Sequence, residues 1–558
     1  MDSYRLITGM VFAVSLFLLV DAWVRQRAAP PPAAPATPEQ AAGERAAPPT
    51  PTVPAAPPTP TQGVAPGETP APAAKVQQIA GQMVEVRTDF LRAEIDATGG
   101  NLRRIELLQH RDRDDREKVL VLFEQTADRV YLAQNGLIGS GLPNHTSAFV
   151  AEAASYALQP GADSVVVRLR ASGGDGVEVS KTFEFKRASY VIDVGFSVTN
   201  RGQSPIDAHA YYQLVRDAKP PVGDSKMVPT FSGVEIYTEK DKLSKIKFED
   251  VAEDKASYPK TSPDGWVAIV QHYFLAAWLP PSGVAREFYL RPLGGGLIAA
   301  GVIVPMPQIA AGQSVSNSTA LYVGPQEQER LKALAPGLEL AVDYGWLRVL
   351  AVPLFWVLNK IYGFVGNWGV AIIILTIIIK IAFYPLSAAS YRSMARMKVM
   401  APKLQRLKER YGEDRQKMHQ AMIELYKTEK INPLGGCLPI VVQIPVFIAL
   451  YWVLLLSVEL RHAPFALWIK DLSTPDPFYI LPVLMGATMF IQTWLNPTPP
   501  DPMQARLMKI MPIAFSVFFF FFPSGLVLYW LVNNILSIAQ QWQITRSLER
   551  SKPAHGES

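Results

Sequence analysis

Thiol chemistry is almost absent from this chain of 558 residues, because Cys437 is its only cysteine. A single cysteine excludes an intrachain disulfide and a metal site built from several thiolates. The chain also lacks the P-loop for nucleotide phosphates, a dinucleotide fingerprint, the H-E-x-x-H zinc motif and a nucleophile elbow. These absences predict a protein that is not an enzyme, that uses no nucleotide and that needs no metal or other cofactor.

The composition is too uneven for a single globule, with 47 prolines, 37 glycines and 49% apolar residues. An apolar run from Leu6 to Val24 has the length of one membrane span and is flanked by arginines. The run is either a cleaved signal peptide or an uncleaved anchor. It is long and no cleavage site follows it, which favours an anchor that comprises residues 1–27. Residues 28–78 are rich in proline and alanine and predict a flexible linker.

Residues 79–335 predict a large β-domain. Apolar residues alternate with polar ones, as in Val177, Val179, Phe183 and Phe185, and turn residues separate the short runs. This pattern is typical of an antiparallel β-sandwich. His209, His272 and several carboxylates leave open a sugar-processing enzyme, but they form no recognisable catalytic or metal spacing. We therefore expect a binding or spacing module.

The stretch from Gly369 to Pro385 is apolar enough to enter a bilayer, yet it contains Lys380. A charge at the centre of a membrane helix costs about 2.5–3.5 kcal/mol on insertion scales. In one interpretation Lys380 extends its ammonium to the lipid headgroups. In the other, Thr376, Lys380 and Tyr384, spaced four apart, give the helix a wet face. The apolar runs carry no central Asp or Glu to neutralise Lys380, which favours a hydrophilic groove within the membrane.

Residues 336–364 predict an interfacial helix on the membrane surface, and residues 365–546 predict a core of five transmembrane helices. The predicted spans are Asn367 to Leu386, Gly436 to Val458, Phe478 to Leu495, Leu507 to Phe522, and Leu526 to Ile544. Several polar or amphipathic side chains are expected to line the groove with Lys380: Gln443, Trp530, Asn533, Ser537 and Gln541. The alternative is that these side chains only form hydrogen bonds between helices.

A basic segment, 387–432, interrupts the core and predicts a helical hairpin that breaks near Gly412. Excess lysine and arginine is typical of cytoplasmic loops. Counting spans from this loop puts both termini in the cytoplasm, including the tail 547–558, and the β-domain outside. Methionines recur at helical spacing, and they serve either to pack the two arms together or to receive varied client segments. They are Met394, Met397, Met400, Met418 and Met422.

Several short segments match a known pattern: Gly366-Asn-Trp-Gly369, Tyr384-Pro-Leu386, Asn432-Pro-Leu-Gly-Gly-Cys437, Ser457-Val-Glu-Leu460, Ala463-Pro-Phe-Ala-Leu-Trp468, Asp501-Pro-Met503 and Phe522-Pro-Ser-Gly525. With them, residues 345 to 545 closely resemble the YidC/Oxa/Alb family of membrane protein insertases. The amino-terminal architecture is similar to the Gram-negative YidC form, which has a periplasmic β-domain. The family usually carries arginine where this chain has Lys380, so electrostatic attraction is expected but a bidentate carboxylate pair is not.

The resemblance implies a multi-domain membrane protein of the bacterial inner membrane. It has an α-helical bundle with one N-terminal anchor and five core helices, a large periplasmic antiparallel β-sandwich and a cytoplasmic hairpin. It also implies client contacts near Thr376 and Trp530. The expected partners are nascent membrane protein segments, the lipid bilayer, the Sec translocon with its accessory subunits, and the ribosome. We expect an insertase that also assists folding, alone or with Sec; the alternative is a membrane chaperone acting only downstream of Sec.

Overall fold

The structure is a computed structural model that describes residues 82–113, 115–221, 230–411, 414–428, 438–496 and 502–550. The predicted anchor 1–27 and linker 28–78 lie outside the described residues. The described chain up to Val342 forms one compact unit, and the chain from Asp343 onward forms a second. We call them the β-rich unit and the helical unit.

The β-rich unit contains two sheets, one of ten strands and one of nine, in its described residues. The ten-stranded sheet has the order β14-β17-β18-β11-β5-β4-β3-β2-β1-β7, and the other has the order β13-β12-β15-β16-β19-β10-β9-β8-β6. The strands are β1 (Met83–Arg87), β2 (Leu91–Asp96), β3 (Asn101–Arg111), β4 (Val119–Gln125), β5 (Val130–Ile138), β6 (Val150–Ala151), β7 (Ser155–Ala157), β8 (Ser164–Ser172), β9 (Val177–Lys186), β10 (Val191–Asn200), β11 (His209–Asp217), β12 (Gly233–Thr238), β13 (Lys242–Ile246), β14 (Thr261–Ser262), β15 (Trp266–Gln271), β16 (Phe274–Leu279), β17 (Arg286–Gly294), β18 (Leu297–Pro305) and β19 (Ser314–Pro325). Two short helices complete the unit, α1 (Phe248–Ala252) and α2 (Gln328–Leu334).

Alternation in the sequence predicted the buried face of β9 correctly. Val179, Phe183 and Phe185 are at most 2% exposed, whereas Glu178 and Glu184 lie on the opposite face of the strand and are not buried. One strand pair departs from the predicted antiparallel pattern, because β7 runs parallel to β1. The chain first places β6 in the other sheet and then returns to the free edge of β1, so it arrives in the same direction.

Polar side chains also join the two sheets. The buried Lys181 of β9 donates through Nζ to the carbonyl oxygens of Gly99, at 2.6 Å, and Asn135, at 3.1 Å. Its ammonium lies 5.4 Å from the ring centre of Phe149. Burial lowers the pKa of Lys181 well below its ordinary value. Lys181 is therefore held by carbonyl oxygens and aromatic rings rather than by a carboxylate.

The helical unit begins with a helix that is largely exposed. In its described residues the unit contains α3 (Arg348–Val365), α4 (Trp368–Ala382), α5 (Tyr384–Tyr411), α6 (Arg415–Thr428), α7 (Leu438–Leu456), α8 (Ile480–Leu495), α9 (Pro502–Phe518) and α10 (Ser524–Arg550). Helix α3 ends at Gly366, whose φ of 65° closes the helix, and α4 begins where the Asn367 side chain accepts a hydrogen bond from the Val370 amide. This break falls where the sequence predicted it.

The lengths of the helices differ from the five predicted core spans. By length and composition, one described helix, Gly345–Val365, qualifies alone as a membrane span, and it is the one predicted to be interfacial. A second span results only if Trp368–Ala382 and Tyr384–Met397, bent by 66°, count as one. Three further apolar helices are shorter than 18 residues: Val442–Leu456, Ile480–Leu495 and Lys509–Phe521. The number of core spans thus stays a prediction.

The basic segment forms two helices, α5 and α6, which contact each other. Helix α5 ends at Tyr411, next to the predicted break. Met400 is only 4% exposed, so in this conformation it packs inside the protein rather than on a receiving surface. The other four methionines, Met394, Met397, Met418 and Met422, are partly buried. The client-receiving role of the five methionines stays a prediction.

Candidate functional site

Lys380 lies inside the helical unit rather than on its surface. Its residue is 6% exposed, and its Nζ donates a hydrogen bond of 2.7 Å to the Ser537 Oγ of α10. The Ser537 hydroxyl in turn donates to the backbone oxygen of Asn533 at 2.8 Å. A hydroxyl that accepts from an ammonium becomes a better donor, so the two bonds reinforce each other.

Helix α7 joins the same group of polar residues. Gln443 Nε2 donates to Asn533 Oδ1 at 2.8 Å, and Asn533 and Ser537 are four residues apart on one face of α10. We call Lys380, Gln443, Asn533 and Ser537 the polar cluster. Its members come from α4, α7 and α10, so three helices that are distant in sequence meet through side chains predicted to share a site.

No carboxylate forms an ion pair with Lys380 anywhere in the described ranges. The ammonium is instead held by a hydroxyl. Two buried serines on the neighbouring helix α5, Ser387 and Ser390, are at most 8% exposed, and Tyr391 interacts with Ser537. A buried charge normally requires a counter-ion or several hydrogen bonds, and the bond to Ser537 Oγ meets part of that requirement here.

Trp530 lies on α10, one turn before Asn533, among aromatic side chains. Its ring is 4.4 Å from that of Phe447, edge to face, and 5.4 Å from that of Phe519. Its indole N–H is buried and has no hydrogen-bond partner among the described residues. A buried indole usually finds an acceptor, so this N–H departs from the usual pattern.

The predicted wet face of the Lys380 helix is only partly present. Thr376 is 1% exposed, and its hydroxyl donates to the Ile372 carbonyl of the preceding turn, at 2.7 Å, rather than to a neighbouring helix. Tyr384 does not continue the face, because α4 ends at Ala382 and the chain bends before Tyr384 begins α5. Tyr384 is 39% exposed. The prediction of one polar face required a single unbroken helix through all three residues, and the bend shows that the helix is broken.

Helix α10 also has a second polar edge that faces α8. Asn534 donates to the Thr488 hydroxyl at 3.3 Å, and Gln541 donates to Asn496 Oδ1 at 3.1 Å. Gln541 was predicted to line the groove, but it is bonded at the end of α8 instead. The spacing of seven between Asn534 and Gln541 was a signal for this edge, since seven residues are almost two helical turns.

The two histidines considered in the sequence as candidates for a site, His209 and His272, are positioned by different sheets. His209 begins β11 of the ten-stranded sheet and lines a cavity of about 440 Å³ with Glu287. His272 follows β15 of the other sheet and stacks on Tyr273, with ring centres 3.9 Å apart. The binding or spacing role expected for the β-domain stays a prediction.

Comparison with known proteins decides the family. The model of the YidC periplasmic domain matches residues 83–357, and the model of the 60Kd inner membrane protein matches residues 360–552. A membrane protein insertase YidC from Methylobacillus flagellatus is 55% identical over 552 residues, covering 99% of this chain and 98% of that protein. This chain belongs to the YidC family of membrane protein insertases. The YidC of Aromatoleum aromaticum is 53% identical and covers 99% of both chains.

Membership in the YidC family makes this chain an inner-membrane protein with a large β-rich periplasmic domain and a helical region after it. The resemblance expected from the short segments is thereby confirmed. A solved active YidC insertase, with its first transmembrane domain resolved, covers 82% of this chain and 92% of its own, at 20% identity and a TM-score of 0.39.

Proposed function

We propose that this chain inserts nascent membrane protein segments into the inner membrane by way of the polar cluster. The observation that carries the proposal is a lysine ammonium held inside the helical unit by Ser537, with no carboxylate partner in the described chain. Transfer of a client's apolar segment to lipid is favourable without assistance. The insertase therefore has to lower the barrier for the polar segment that crosses.

The charge of Lys380 is the part of the cluster that acts on the client. An ammonium has three donors, and Ser537 accepts one of them. Water or an acidic group in the client's translocated tail would then take the place of the missing counter-ion. Because Lys380 is buried, its attraction for an acidic group is stronger than it would be on an exposed surface. This predicts a preference for clients whose crossing tails are acidic.

Entry to the cluster requires a movement of the helices. At 6% exposure Lys380 does not lie on an open surface. Helix α5 contacts both α4 and α10, and it is continuous with the hairpin. We propose that displacement of α5 opens the hydrophilic groove towards the cytoplasm, with Thr376, Tyr384 and Trp530 along the path that the client follows.

The hairpin formed by α5 and α6 is proposed to receive the client first. Besides the predicted methionines, two apolar residues that the sequence reasoning missed are exposed there, Val399 at 58% and Ile423 at 41%. Replacing the hairpin with a Gly/Ser linker should abolish insertion while leaving the β-rich unit folded. Insertion that survives this replacement would exclude the receiving role.

The proposed topology places both termini and the hairpin in the cytoplasm. The N-terminal anchor and the five core spans belong to this proposal. So do the partners inferred from the resemblance, namely the ribosome and the Sec translocon with its accessory subunits. The competing function is a chaperone that acts only on spans already delivered by Sec.

Reconstitution in liposomes without Sec distinguishes the two functions. With a short single-span client, an insertase yields a protease-protected client and a chaperone yields none. Lys380→Ala should then reduce insertion of clients with acidic tails more than insertion of clients with neutral tails. Lys360→Ala is the matched control, since Lys360 is an exposed lysine on α3. Equal insertion by the Lys380→Ala protein and the unmodified protein for acidic tails would refute the electrostatic role.

A further inference from the structure

Helix α10 carries bonded polar side chains on two of its edges. Asn533 and Ser537 lie on the edge of the polar cluster, and Asn534 and Gln541 lie on the edge that faces α8. Because successive residues of an α-helix are about 100° apart, the centres of the two edges are separated by about 70° around α10. A single rotational setting of this helix therefore has to satisfy both edges.

The edge towards α8 is buried and contains a relay of hydrogen bonds. Asn534 and Gln541 are 4% and 5% exposed. The Asn534 amide donates to the Thr488 hydroxyl at 3.3 Å, and that hydroxyl donates to the backbone oxygen of Met485 at 2.7 Å. The arrangement resembles that of Ser537, whose hydroxyl also accepts from another helix and donates to its own. Thr488 therefore joins α8 to α10 as Ser537 joins α10 to α4.

A second contact joins the two helices further along α10. The Gln541 amide donates to Asn496 Oδ1 at 3.1 Å, and Asn496 ends α8 with its own backbone amide bonded to the Gln492 oxygen. Gln541 comes seven residues after Asn534, which is about 10 Å along the helix. Two bonds at different heights on the same edge resist rotation of α10 more than one bond would.

Helix α8 is itself held by α9. The Ser516 hydroxyl of α9 donates to the Pro482 oxygen of α8 at 2.9 Å. The two helices are in close contact there, since a Cβ atom at Gly486 would lie 2.8 Å from Ser516 Oγ. Helix α8 is therefore a support that does not depend on the polar cluster, whose members come from α4, α7 and α10.

A small rotation of α10 is enough to disturb the polar cluster. A side-chain atom about 4 Å from the helix axis moves by roughly 1.4 Å when the helix turns by about 20°. The bond from Lys380 Nζ to Ser537 Oγ is 2.7 Å long. A movement of that size away from the ammonium would lengthen the bond beyond hydrogen-bonding distance.

We propose that Thr488 and Asn534 are a positioning pair, which holds α10 in the rotational setting at which Ser537 meets Lys380. The inference rests on the proposed function, because the cluster that the pair positions is the one proposed to act on clients. The pair acts through the orientation of α10. Its loss should therefore reduce the preference for clients with acidic tails more than it reduces insertion in general.

The first test measures that preference in liposomes without Sec, as the ratio of insertion of acidic-tailed clients to insertion of neutral-tailed clients. Thr488→Val removes the hydroxyl and should lower the ratio by roughly two- to tenfold, the range by which one neutral hydrogen bond changes an equilibrium. Thr488→Ser keeps a hydroxyl and should restore the parent ratio. Thr493→Val is the matched control, since the Thr493 hydroxyl donates to the Met489 oxygen within α8, and it should leave the ratio unchanged.

The second test measures the setting of α10 without any client. Spin labels replace Ile491 of α8 and Ile535 of α10, which are 47% and 49% exposed, in a Cys437→Ser background. A rotation of about 20° moves a label about 9 Å from the helix axis by roughly 3 Å. Pulsed electron paramagnetic resonance should therefore show a changed distance between the labels in Thr488→Val and the parent distance in Thr493→Val.

Failure of the positioning role and failure of the proposed function give different results. Where Lys380→Ala lowers the ratio, a folded Thr488→Val protein that keeps the parent ratio overturns the proposal. Where Lys380→Ala leaves the ratio unchanged, the proposed function has failed, and an unchanged distance between the labels overturns the positioning role as well. If Thr488→Val does not fold, Asn534→Leu decides in both tests, because it removes the donor of the same hydrogen bond.

Discussion

The hydrogen bond between Lys380 and Ser537 allows a quantitative prediction. Removing the hydroxyl with Ser537→Ala takes away an acceptor from a buried ammonium, and hydrogen bonds to charged groups contribute about 1.5–3 kcal/mol. If Lys380 is first replaced by methionine, the same change loses only the bond from Ser537 to the Asn533 oxygen, about 0.5–1.5 kcal/mol. The bond to Asn533 is lost in both backgrounds and cancels, so the two changes should be coupled by about 1.5–3 kcal/mol, the contribution of the charged bond.

A double-mutant cycle measures this coupling. The four proteins, namely the parent, Lys380→Met, Ser537→Ala and the double variant, are unfolded by increasing SDS in mixed micelles, and the free energy of unfolding is compared. Ser516→Ala is the matched control, since the Ser516 hydroxyl donates at 2.9 Å to the Pro482 oxygen between α9 and α8. Its cost should not depend on Lys380.

An equal cost of Ser537→Ala with lysine and with methionine at position 380 would contradict this prediction. Equal costs would mean that the ammonium does not depend on the hydroxyl. The same outcome would remove the main evidence that the hydroxyl of Ser537 on α10 stabilises the Lys380 ammonium.

Two further predictions concern stability. Burial, together with the charge of Lys181, lowers the pKa of His145 to about 4, below the value of about 6.5 for an unfolded chain. The unfolded state therefore binds the extra proton as the pH falls from about 6.5 to 4, and the β-rich unit should lose about 3 kcal/mol over that window. Pulse proteolysis of the full chain should show a flatter pH dependence for His145→Gln, and an unchanged slope would contradict the assignment. A Cβ atom at Gly369 would lie 2.1 Å from Cδ2 of Phe465, so Gly369→Val should cost about 1–3 kcal/mol. Thermal unfolding should show no such loss from crowding in Gly363→Val, where no atom lies within 4 Å, and equal losses in both variants would exclude the clash.

The sequence predicted the β-rich unit well because burial on one face of a strand leaves a direct record in the alternation of residues. Val179 and Phe183 are buried as the period of two requires. The parallel pairing of β7 with β1 could not be predicted, because it depends on which sheet edge remains free after β6 has paired. Pairings between distant segments follow from topology rather than from local pattern.

In the helical unit, composition predicted the members of the polar cluster but not their pairing. An unneutralised lysine among apolar residues indicated that polar side chains from other helices must approach it. It did not indicate which side chains would contact Lys380. In the structure Ser537, rather than Thr376, accepts the hydrogen bond from the ammonium. The bend before Tyr384 was also missed, because Phe383 departs from helical geometry without a proline or glycine at its own position.

The central claim is that nascent segments meet the polar cluster, and photo-crosslinking from neighbouring positions of α7 tests it most directly. A photoreactive amino acid at position 443 replaces a partly buried residue of the cluster, and at position 444 it replaces Ile444, which is 47% exposed. With a stalled nascent membrane protein, the account predicts strong crosslinks from position 443 and few from position 444. Equal crosslinking from both positions, or crosslinking from position 444 alone, would contradict it.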